Sequence, residues 1–118
     1  MTDKELGWLA ALFEGEGCLS FSLHGDARRT DTGVWMATIK MCDEDVVRKF
    51  HRLIGIGTVG GPYQHGTQKN GTPNGLMWRW NIAAQEDILN FCSLLQPEMG
   101  QRRAAKMAEC LSDLYVME

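Results

Sequence analysis

The chain lacks the cysteine spacing of a metal knuckle. Cys18, Cys42, Cys92 and Cys110 stand far apart with no CxxC pair, which argues against both a zinc knuckle and a disulfide scaffold and leaves four buried thiols as the expectation. No long apolar run or secretory leader is present, so a soluble, intracellular protein with no membrane partner is expected. The length, 118 residues, is too short for two cores, so 1–118 reads as a single domain of ordinary globular composition, 44% apolar and 23% charged. Positive charge is also in short supply. A net charge of −3 speaks against nucleic acid, because phosphate contact is the main sequence-independent source of affinity. The distribution softens that objection: residues 17–82 hold eight Lys/Arg against five Asp/Glu, a balance of +3, while 1–16 and 83–118 carry −3 each.

What is present alternates between two periods. Thr2 and Glu5 form a capping box that starts a helix running to a break at Gly15 to Gly17, with Leu6, Trp8, Leu9 and Phe13 as its apolar residues. From 18 to 24, Leu19, Phe21 and Leu23 alternate with Ser20, Ser22 and His24, the pattern of a half-buried strand. Residues 25–33 read as a hairpin loop into a second strand over 34–41, with Trp35, Ala37, Ile39 and Met41 on one face and Met36, Thr38 and Lys40 on the other. Asp43 is placed as the N-cap of a second helix with Val46, Val47, Phe50, Leu53 and Ile54, ending at Gly55. A third strand begins over 55–59, residues 60–75 read as a long loop or irregular hairpin tip, and 76–83 alternate again as a fourth strand. Helices over 84–95 and 101–117, separated by Pro97, complete an α+β order.

The stretch Leu9-Ala10-Ala11-Leu12-Phe13-Glu14-Gly15-Glu16-Gly17 breaks local rules. Gly7, Ala11 and Gly15 are four apart and share one helix face, where small residues let another backbone approach. Glycine inside a helix costs about 0.5–1 kcal/mol relative to alanine, so two on one face suggest that a helix contact offsets the cost. Glu14 and Glu16 stand at the helix C-terminus, where the macrodipole disfavours carboxylates and a cation is expected against them. The polar strand face of Ser20, Ser22, His24, Thr38, Lys40, Arg79 and Asn81 is rich in side chains that can read bases. With Arg28, Arg29, Gln64, His65, Gln68 and Lys69 from the loops it forms a candidate DNA saddle, against the alternative of a simply solvated polar face.

These nine residues, LAALFEGEG, resemble position by position the motif of the LAGLIDADG homing endonucleases, and the element order agrees with one unit of that family along essentially the whole chain. The segment Asn90-Phe91 to Leu95-Gln96-Pro97, followed by Gln101-Arg102-Arg103, resembles the family's third helix and the basic segment after it. The resemblance implies an αββαββα fold, a four-stranded antiparallel saddle with helices on one face. It also implies a metal-dependent double-strand DNA break, with Glu16 and the Gly15 carbonyl holding Mg²⁺ or Mn²⁺ and Arg102 assisting. A single motif copy implies a homodimer on a long, roughly palindromic double-stranded site, paired through Gly7, Leu9, Ala10, Ala11, Glu14 and Gly15. The polar residue expected near the end of the second strand falls on Met41, which favours a rival: a catalytically weakened DNA-binding regulator or RNA-splicing maturase. A third alternative is an unrelated small α+β interaction domain, which would bind no DNA.

Overall fold

The computed structural model describes residues 1–23, 33–64, 66 and 75–116. Helix α1 (Asp3–Glu16) begins at the expected capping box: the Thr2 hydroxyl accepts from the Glu5 N–H at 3.1 Å, and the Glu5 carboxylate accepts from the Thr2 N–H at 2.8 Å. The Thr2 N–H first, and the Thr2 hydroxyl second, hold the Glu5 carboxyl below the usual carboxylate range. Strands β1 (Gly17–Leu23) and β2 (Gly33–Met41) follow, then α2 (Glu44–Ile54), β3 (Thr58–Gln64), β4 (Leu76–Ile82) and α3 (Gln85–Leu95). A single 3-10 turn over Gln96–Glu98 leads into α4 (Gln101–Val116).

The strands form one antiparallel sheet in the order β1-β2-β4-β3, so each half of the chain supplies one edge strand and one central strand. Period-2 alternation decides which side is covered. Trp35, Ala37 and Ile39 of β2 and Trp80 and Ile82 of β4 are buried against Phe13 of α1, Phe50 of α2, Phe91 of α3 and Met107 of α4. An aromatic cluster sits at the centre of this layer, with Phe50 against Trp80 at 4.7 Å, Phe13 against Phe91 at 4.9 Å and Trp80 against Phe91 at 5.4 Å. The Trp80 indole N–H donates to the Ile56 carbonyl at 2.9 Å, whereas the buried Trp35 indole N–H has no partner among the described residues. The α+β order, the antiparallel saddle sheet and helices on one face agree with the sequence expectation.

Three expectations change. The third strand starts at Thr58 and runs on through Gln64, into the stretch read as a long loop or irregular hairpin tip; Gly60, Gly61 and Pro62 hide its extent because they supply no alternating apolar side chains. As an edge strand β3 tolerates Pro62, and its pairing with β4 is irregular between Gly60 and Tyr63. Gly15 and Glu16 remain helical, and the break comes at Gly17, which is already extended at φ −84° and ψ 162°. Only Cys92 and Cys110 are buried thiols; Cys18 and Cys42 are exposed. A shared hydrogen bond with Cys92, with burial second, pushes the Cys110 thiol far up, so it stays protonated in the core. Among the described residues, no helix is long and apolar enough to cross a membrane.

Candidate metal site and nucleic-acid interface

The face of the sheet opposite the helices carries the side chains that alternate with the core. Strand register sets them in rows: Cys18 of β1 pairs with Thr38 of β2, Thr38 with Asn81 of β4, and Asn81 with Thr58 of β3. Lys40 pairs with Arg79 in a second row, and Ser20 and Ser22 pair with Met36 and Val34. Six of the expected saddle residues, Ser20, Ser22, Thr38, Lys40, Arg79 and Asn81, therefore share one open face. Gln64 ends β3 at its rim. His24, Arg28, Arg29, His65, Gln68 and Lys69 lie outside the described residues.

Sequence reasoning missed Cys18, Thr58 and Tyr63 on this face; the alternation of the fourth strand already puts Met77 on the side of Arg79 and Asn81. Cys18 continues the Ser20 and Ser22 alternation and was legible by that rule. Tyr63 was concealed by the glycines and proline before it, and its ring lies 5.6 Å from the Arg79 guanidinium carbon.

The two motif carboxylates have different surroundings. Glu14 is tied to the other end of the chain: one oxygen accepts from the Gly100 N–H at 2.6 Å, and the other pairs with Arg103 Nε at 2.8 Å. Arg103 Nε also donates to the Glu14 carbonyl at 3.2 Å, and its guanidinium sits 5.4 Å from the Phe13 ring. This contact fastens the end of α1 to the start of α4 and supplies the cation that the dipole argument requires for Glu14. Glu16 is the last residue of α1, exposed, and without a hydrogen bond or ion pair among the described residues. Gly15 is among the last four carbonyls of the helix, which have no intrahelical partner. Between β1 and α4 opens a cleft of about 500 Å³, lined by Gly17, Cys18, Arg102, Arg103 and Lys106 among others, with the exposed Arg102 at its wall.

The fit to a divalent cation follows from this donor set. Among the described residues, no three His, Cys, Asp or Glu side chains come together. Mg²⁺ needs no such cage: it keeps several waters and binds through one or two carboxylates plus substrate phosphates. One bare carboxylate beside free helix-end carbonyls suits a cation that a phosphate helps to hold.

The expected pairing face divides in two. Gly7, Ala11 and Gly15 are exposed, and a Cβ at either glycine would meet nothing within 4 Å, so this row faces outward. Leu9 and Ala10, expected in the same contact, are 0% and 5% exposed and packed in this chain's own core, which corrects their assignment. Helical period is the reason: Leu9, Ala10 and Phe13 form the inner stripe of α1, and the small row lies around the helix from it. Glu14 is half-exposed, and its carboxylate is occupied within the chain.

The architecture defines a class: a saddle-shaped antiparallel sheet with αββ halves and a carboxylate at the first helix-to-strand junction. No family model and no curated protein sequence matches the chain. Solved structures do. The homing endonuclease I-CvuI, in complex with DNA, superposes at a TM-score of 0.71 with 16% identity over 95% of this chain and 66% of that one. The LAGLIDADG endonuclease I-GzeII in complex with its DNA target gives 0.72 at 15% identity, covering 99% and 38%. The LAGLIDADG meganuclease I-CpaMI bound to uncleaved DNA gives 0.73 at 11%, covering 95% and 36%. The fold is that of the LAGLIDADG homing endonucleases. The chain spans 66% of the length of I-CvuI and little more than a third of the other two.

Proposed function

We propose that this protein is a site-specific homing endonuclease that cuts both strands of DNA as a homodimer and requires a divalent metal. The observation that carries the reading is the contrast between the two motif acids. Glu14 is neutralised by Arg103 and Gly100, whereas Glu16, two residues on, is a carboxylate with no partner among the described residues, at the junction of α1 with the open sheet face. The fold neighbours seen with DNA support the substrate class. A carboxylate left uncompensated at a negative helix end is locally unfavourable, and unfavourable local choices concentrate at functional sites.

In this reading Glu16 and the Gly15 carbonyl would hold Mg²⁺ or Mn²⁺ when DNA is bound. When bound, the ion supplies Lewis-acid polarisation and lowers the pKa of a bound water. The chain's own groups do the remaining work. Ser20, Ser22, Thr38 and Asn81 offer donors and acceptors to base edges, and Arg102, at the cleft wall, offsets negative charge developing on the attacked phosphate. Two strands need two acids, so two copies pair through the outward row Gly7, Ala11 and Gly15. The target is then long and roughly palindromic, and the gene belongs to a mobile element.

The test is cleavage of the gene's own insertion site by purified protein in Mg²⁺, with and without a chelator. The expected result is a double-strand break that the chelator abolishes. Intact DNA under conditions of full binding, in Mg²⁺ and in Mn²⁺, leaves the second reading, a catalytically weakened DNA-binding regulator or maturase. Met41 favours that alternative, being half-buried against the core and paired with Trp78 rather than offering a polar group. No DNA binding at all overturns both.

The pairing face has its own test. Ala11→Leu adds bulk to an exposed position and should change protomer stability by no more than about 0.5 kcal/mol. Light scattering should then show a dimer in the parent and a monomer in the variant. An unchanged dimer mass refutes the interface.

A further inference from the structure

We propose that Arg79 is a specificity-determining residue that reads a guanine in the major groove, with Tyr63 as the plate that orients it and Lys40 as its neighbour. The inference deepens the DNA-binding reading above and rests on it. Arg79 lies on β4 and Lys40 directly opposite on β2, the two central strands of the sheet. Like charges facing each other across a strand pair are destabilising, and no carboxylate lines the cleft of about 180 Å³ that Lys40, Tyr63, Met77 and Arg79 form among the described residues. Such a pair is stabilised by an acceptor-rich ligand.

Two observations give that ligand its shape. The Arg79 Nε is buried with no hydrogen-bond partner among the described residues, and the guanidinium lies 5.6 Å from the Tyr63 ring, a cation–π arrangement that limits its freedom. Tyr63 itself is half-exposed. A held guanidinium offers a fixed fork of donors, and the fork matches the paired O6 and N7 acceptors of guanine. Its place in the fold separates a base from a phosphate. The pair stands on the central strands, where a ribbon in the major groove meets base edges; phosphate contacts position a protein without carrying sequence information.

The experiment is selection of bound duplexes from a randomised pool, run in Ca²⁺ with the parent protein and with Arg79→Lys, Arg79→Ala and Tyr63→Leu. The parent should enrich guanine at a defined position. Arg79→Lys, which keeps the charge and loses the fork, should lower that preference about 10- to 100-fold while leaving the ranking at other positions intact. Tyr63→Leu, an edge-strand change made in case the Arg79 variants unfold, should weaken the same guanine and no other. An unchanged base profile in the Arg79 variants, or for Tyr63→Leu if neither of those folds, overturns the proposal. So does uniform weakening in Arg79→Ala with the salt slope reduced by about one, the signature of a phosphate contact. A parent protein that binds no duplex overturns the nuclease reading itself, a result distinct from either.

Discussion

Glu16→Gln should fold, dimerise and bind DNA as the parent does, and should cut DNA at least about 10³-fold more slowly, the scale set by removing one group that stabilises transition-state charge. The fold is expected to survive because the Glu16 side chain is exposed and makes no hydrogen bond or ion pair among the described residues. The substitution also removes a negative charge from the C-terminal end of α1, a change worth a few tenths of a kcal/mol in the stabilising direction. DNA affinity without metal should hold or rise, since a carboxylate near phosphate repels it. Cleavage should fall because a neutral amide is a poor ligand for a hard cation that favours carboxylate oxygen. Glu14→Gln makes the complementary case. Its carboxylate accepts from Arg103 and Gly100, so its loss should lower the melting temperature and reduce cutting only as far as the α1–α4 contact loosens. Rates measured in Mg²⁺ alongside thermal melts separate the two. Full cutting by Glu16→Gln would remove the metal assignment.

The division between these two acids was only partly legible from sequence. The dipole argument marks both as misplaced, and it ranks neither. The partners that distinguish them, Gly100 and Arg103, lie 86 and 89 residues away, and no local pattern reports a contact across that distance. The same limit hid the Tyr63 and Arg79 pair, which depends on the register between β3 and β4 and on an irregularity within β3. Local chemistry was legible: the Thr2 and Glu5 capping box, the αL glycine Gly55 closing α2 at φ 78°, and the strand alternation that puts Trp35, Ala37, Ile39, Trp80 and Ile82 on the core side. Cys18 shows where a residue-type rule misleads. Free cysteine is usually buried, yet strand period places this one on the open face beside Thr38.

Gly17→Ala should lower stability by about 2 kcal/mol and the melting temperature by roughly 6–10 °C, with cleavage impaired in the fraction that remains folded. Backbone preference argues the other way. At φ −84° and ψ 162° Gly17 has an extended conformation that alanine adopts freely, and glycine-to-alanine changes at compatible sites add about 0.4–1 kcal/mol by restricting the unfolded chain. Packing decides the sign. A Cβ at Gly17 would overlap the Phe13 ring, reaching its Cγ at 2.6 Å. That ring is fully buried and cannot swing aside: Phe91 meets it edge-on at 4.9 Å, and Arg103, itself held by Glu14, lies 5.4 Å away. The overlap must therefore be relieved by moving the backbone where α1 passes into β1, the segment that sets the position of Glu16. Gly7→Ala is the control. It lies within α1, a Cβ there meets nothing within 4 Å, and alanine should stabilise the isolated protomer by about 0.5–1 kcal/mol. Melting both variants at a protein concentration low enough to populate monomer gives the comparison. If Gly17→Ala melts with the parent, the Phe13 ring has room to move and the junction is not what fixes the Glu16 carboxylate.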